Sequence, residues 1–171
     1  MIKRFIKYLL IALPIALTMS GCGGGGGGGT GSATSSTASS TIYGTGYYVD
    51  AAVSGIIYEC GSEKGTTDEN GKFKFRIGES CTFKLGTMVL RTIDSDRLEN
   101  GVVILETNEN IAALLQSLDA DGDPDNGIEI KDDVSDAVSA LKLQSVPTGD
   151  SEIETAVNNI NTQSGNHFVP V

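Results

Sequence analysis

Near Asn100 the spacing of apolar residues changes, and that change sets what the chain can fold into. Between Gly46 and Arg91 the period is two: Phe73, Phe75 and Ile77 alternate with Lys72, Lys74 and Arg76, as in a strand with one buried and one wet face. Beyond it, Ile111, Leu114, Leu115 and Leu118 recur at helical spacing, as do Val134, Ala137, Val138 and Leu141. The chain therefore reads as α+β, a small antiparallel sheet or sandwich followed by a helix-loop-helix unit. Strands are predicted at Val53 to Cys60, Phe73 to Ile77, Cys81 to Leu85 and Met88 to Ile93, with a hairpin turn at Asn70-Gly71. A short third helix is predicted from Ile153, Ala156, Val157 and Ile160, and an extended tail from Asn166 to Val171, where Pro170 forbids helix. Thr107 or Asn108 can cap the first helix, and Asp132 and Asp133 suit the positive N-terminal end of the second.

Between the two helices lies Asp121-Gly-Asp-Pro-Asp-Asn-Gly-Ile-Glu-Ile-Lys-Asp132, with acids at every second residue over its first half. Adjacent carboxylates repel one another unless a cation joins them, and hard cations take oxygen ligands. The loop resembles an EF-hand calcium loop. Asp121, Asp123 and Asp125 fall at its first, third and fifth places, and Ile128 at the apolar eighth. Gly127, Glu129 and Asp132 complete the ligand set that the resemblance implies, with calcium as the expected ion. Asn126 replaces the usual glycine at the sixth place, and Asp132 is one methylene shorter than the usual glutamate, which weakens the predicted affinity. Without a cation, the same residues serve only as a turn.

The first residues carry a targeting pattern. Lys3, Arg4 and Lys7 precede an apolar run from Leu9 to Leu17 that is too short to span a bilayer, and small residues lead to Cys22. Thr18-Met-Ser-Gly-Cys22 resembles a bacterial lipobox, which implies cleavage before Cys22 and acylation of that cysteine, with Gly23 favouring the outer membrane. The expected organisation is a signal segment at 1–21, a lipidated cysteine and Gly/Ser/Thr-rich tether at 22–45, a β-rich part at 46–100, helix-loop-helix at 101–147, and a third helix and tail at 148–171. The tether cannot bury enough apolar surface to offset its own conformational entropy.

Cys60 and Cys81 then remain as a pair in an exported, oxidising setting. Each sits on the apolar face of a predicted strand, so a disulfide between them is expected. Twelve basic against 22 acidic residues give a net charge of −10, which argues against nucleic acid as a partner.

Val53-Ser-Gly55 followed by Thr67-Asp-Glu-Asn-Gly-Lys-Phe73 is similar to the transthyretin-like sandwich of carboxypeptidase regulatory domains. With Asn110-Ile-Ala-Ala-Leu-Leu-Gln-Ser-Leu-Asp119 and the acidic loop, the span from Tyr47 to about Leu141 also looks like an uncharacterised module of proteobacterial lipoproteins and adhesins. These resemblances imply envelope location and binding. No catalytic residues are assigned, since the one histidine, His167, lies in the tail and the serines cluster in the tether. The expected function is a lipid-anchored binding or adhesion module stabilised by calcium, with a protein or glycan partner. The alternative is an accessory subunit or inhibitor of an envelope enzyme.

Overall fold

The computed structural model describes residues 42–171; the targeting pattern, Cys22 and most of the tether lie outside them. Among the described residues, nine strands and three α-helices form one compact unit.

The first strand, β1 (Tyr43–Val49), begins inside the segment predicted as tether. It forms because its glycines meet aromatic rings: Gly44 lies opposite Phe75 and Gly46 opposite Phe73 on β5 (Lys72–Arg76). A Cβ on Gly46 would come within 2.5 Å of the Phe73 ring, so the strand gives up side chains to seat phenylalanines. β1 is central in a three-stranded sheet, antiparallel to β5 and parallel to β8 (Val102–Leu105).

The second sheet is antiparallel throughout, in the order β4 (Glu63–Thr66), β3 (Ile57–Cys60), β6 (Cys81–Leu85), β7 (Met88–Ile93). Cys60 and Cys81 stand opposite each other on β3 and β6, fully buried and joined as a disulfide. The two sheets meet through their rings: Phe73 packs edge-on against Phe83 at 4.9 Å, and Tyr48 lies the same distance from Phe83.

The predicted strand from Val53 to Cys60 is broken in two. Gly55, at φ +80°, separates β2 (Val53–Ser54) from β3. Buried Thr67 fills the break, its hydroxyl donating to Val53 O at 2.7 Å and accepting from Ile56 N at 3.0 Å. Ile77, predicted on the buried face, is 40% exposed because β5 ends at Arg76 and the chain turns there.

The helices follow the apolar spacing. In α1 (Glu109–Ser117), Asn108 is the cap, its side chain accepting from Asn110 N and Ile111 N. α2 (Asp132–Ala140) carries Asp132 and Asp133 in its first turn. The third helix, α3 (Asp150–Ser164), is the longest of the three, not short: polar Asn161 to Ser164 carry it beyond the apolar stripe until Gly165 stops it in a left-handed conformation. Leu114, Leu115, Val134, Val138, Val157 and Ile160 join the sheet residues in one continuous core. No described helix is long and apolar enough to cross a membrane.

Candidate metal centre

The acidic loop leaves α1 at Leu118 and reaches α2 at Lys131. Its own carboxylates shape it. Asp121 accepts from Asp123 N at 2.9 Å and from the Asn126 amide at 2.9 Å, and Asp123 accepts from Asp125 N at 3.3 Å, starting a tight turn at Pro124–Asn126. Gly127, at φ +124°, then turns the chain toward the β half.

There the loop becomes a strand. β9 (Ile128–Glu129) pairs in parallel with β2, with Ile128 N donating to Ala52 O at 2.8 Å and Ile130 N to Ser54 O at 3.1 Å. Ile128 and Ile130 are buried, which explains the two apolar residues among so many acids. The loop is closed at its base by Ala120 N donating to Glu129 O at 3.0 Å, and by Glu129 N donating to the Asp119 carboxylate at 2.8 Å.

This pairing divides the predicted ligands. A cleft of about 480 Å³ opens between loop and β half, with Asp121, Asn126, Gly127 and Glu129 on one wall and Ser54 and Glu69 on the other. Asp132 lines a neighbouring hollow with Ser54, Gly55 and Asp133 instead, because the β2–β9 pairing draws the second half of the loop onto the sheet. Asp123 and Asp125 stay on the exposed outer turn and do not line the cleft. Among the described residues, no three His, Cys, Asp or Glu side chains gather as a ready metal cluster.

Asp119, not predicted as a ligand, lines the same cleft. It is 3% exposed, one oxygen holds Glu129 N, and the other, Oδ2, is buried where no N–H or O–H donor reaches it, with the Asp121 carboxylate beside it. Burial pushes the Asp119 carboxyl above the usual carboxylate range, and the neighbouring Asp121 carboxylate adds to the rise. Asp121 moves the other way, held down by hydrogen bonds from the Asn126 side chain and Asp123 N. A proton kept by this pair therefore resides on Asp119. The signal for Asp119 was present in the sequence, since the every-second-residue run of acids begins there and not at Asp121. Glu69 carried no comparable signal, because only folding brings the turn before β5 across from the loop.

Every polar group lining the cleft is an oxygen or amide, the donor type that hard cations take, and no Lys, Arg or His is among its lining residues. Compared with known proteins, the chain matches no family model, no curated protein and no solved structure.

Proposed function

We propose that this protein is a lipid-anchored binding module of the cell envelope, non-catalytic, and braced by calcium at the acidic loop. The observation that carries the binding reading is the outer face of the β5–β1–β8 sheet, which is exposed among the described residues. Along β1, Tyr43, Tyr47 and Val49 alternate outward with buried Gly44, Gly46 and Tyr48. In register beside them, Val103 and Leu105 of β8 are 61% and 56% exposed, and on the other side stand exposed Lys72 and Lys74. Lys74 lies 4.1 Å over the Tyr43 ring.

An apolar edge beside a basic edge is unusual on a chain of net charge −10. Apolar residues grouped on a surface and bordered by charge are the pattern of a protein-binding face. The lysines fit an acidic partner protein and would steer its approach. The buried Cys60–Cys81 disulfide suits an oxidising compartment, in keeping with export and with acylation at Cys22.

A photo-crosslinking residue at Val103 in intact cells should trap a defined partner, and the same probe at exposed Asn158 on α3 should not. Lys72→Glu with Lys74→Glu should weaken the trapping. Equal products from both probes, or none from Val103, would sink the binding reading. The calcium part is read separately: millimolar calcium should raise the melting temperature, and Asp121→Ala should remove the rise. Linkage gives about 2.7 kcal/mol at a hundredfold excess over Kd.

A further inference from the structure

The EF-hand comparison centres the cation within residues 121–132, but the folded loop does not close around that centre. Asp132 lines a different hollow, and Asp123 and Asp125 lie outside the cleft. No N–H or O–H donor reaches Asp119 Oδ2, which is buried against the Asp121 carboxylate at the seam between loop and sheet. An ionised carboxylate without a counter-charge is costly to bury, and the residues lining the cleft supply no basic side chain.

We propose that the calcium seat is this seam, with the Asp119 and Asp121 carboxylates as its two anionic ligands and the Asn126 side-chain oxygen as a neutral one. The proposal rests on the calcium reading above and relocates the ion. Asn126 is suited to the part because its amide nitrogen already donates to Asp121, which leaves its oxygen for the ion. The remaining coordination falls to water in an open cleft, a mixed shell that calcium tolerates better than magnesium. Two carboxylates rather than the five of the predicted ligand set imply weak binding, in the range of about 10⁻⁴ to 10⁻³ M of extracellular sites. An ion seated here neutralises the base of the loop next to β9 and so fastens the helical half to the β half.

Calorimetric titration of calcium chloride into the full protein, extracted in detergent, distinguishes the two positions. Asp119→Asn keeps the oxygen that holds Glu129 N, and should weaken calcium binding by about tenfold or more, the loss of one of two charged ligands. Asp123→Ala and Asp132→Ala, both at exposed positions, should bind within about threefold of the parent, since neither residue lines the seam. Parent-like binding by Asp119→Asn overturns the relocated site while leaving the calcium reading standing. So does loss of binding in Asp123→Ala or Asp132→Ala. If Asp119→Asn does not fold, these two exposed variants decide: retained binding supports the seam, and lost binding overturns it. A parent that gives no heat and no melting shift at about 10 mM calcium, well above that affinity range, removes the calcium reading itself.

Discussion

Tyr48 donates a hydrogen bond of 2.5 Å from its hydroxyl to Glu106 Oε2, across 58 residues of chain and in the interior of the protein. The other oxygen of Glu106 takes Asn108 N at 2.7 Å and pairs with Arg91 at 3.1 Å. One buried carboxylate thus ties β1 and β7 to the start of α1. The Tyr48 hydroxyl is pushed far above its ordinary pKa, by burial first and then by the Glu106 carboxylate, so it acts as a donor at all working pH values.

Breaking this network from the basic side should cost most. Arg91→Ala leaves the Glu106 charge uncompensated and should lower stability by about 3 kcal/mol or more, whereas Tyr48→Phe removes one donor and should cost about 1–2 kcal/mol. Urea unfolding of the two variants checks the order. Equal losses would show that the carboxylate does not depend on its ion pair.

Gly55→Ala should loosen the loop without touching any acid. A Cβ there would lie 1.8 Å from the Ile130 carbonyl oxygen, and the positive φ alone costs about 1–2 kcal/mol in a residue other than glycine. Hydrogen exchange should quicken at Ile128 and Ile130, whose amides bond to Ala52 and Ser54, more than at the amides of β6. Uniform quickening across both would contradict a local role for Gly55.

Removing the disulfide should destabilise the fold globally. Cys60 and Cys81 are 21 residues apart, and closing a loop of that size in the unfolded chain is worth about 3 kcal/mol on the chain-entropy model. Cys60→Ala with Cys81→Ala should lower Tm markedly while leaving the Cα register of β3 and β6 intact, because Tyr58–Phe83 pairing persists. An unchanged Tm would show that the bridge adds nothing to packing.

The acidic seam should give calcium-free protein an inverted pH response at one position. Asp119 has a raised pKa in the fold, so the folded state holds this proton to higher pH than the unfolded state does. Its contribution is most favourable below the ordinary carboxylate value and declines as pH rises from there through the raised value. Asp121, shifted down, contributes in the opposite sense: its stabilisation is present above the ordinary value and lost as pH falls. Asp119→Asn removes the first effect and, because Asp119 is one of the groups that hold Asp121 down, weakens part of the second. Without calcium, that variant should gain melting temperature over the parent at neutral pH, and the gain should shrink toward pH 4, near the unperturbed Asp value. A difference that stays constant with pH would mean that Asp119 is not ionised at the seam.

The local patterns were legible in the chain itself. Alternation identified β5, β6 and β7, helical spacing identified the cores of α1 and α2, and the placement of Cys60 and Cys81 on apolar faces anticipated their bond. These depend on neighbours a few residues away, which is what periodicity records. β1 escaped because Gly44 and Gly46 have no side chain to show a pattern, and their strand exists only once Phe73 and Phe75 lie against them. The acidic loop was visible as a cluster, but its centre was not. A two-residue pairing with β2, formed across more than 70 residues of chain, draws the loop onto the sheet, sends Asp132 to another hollow and buries Asp119 at the seam. Which carboxylate loses its water is decided by what packs over it, and that is a property of the tertiary fold.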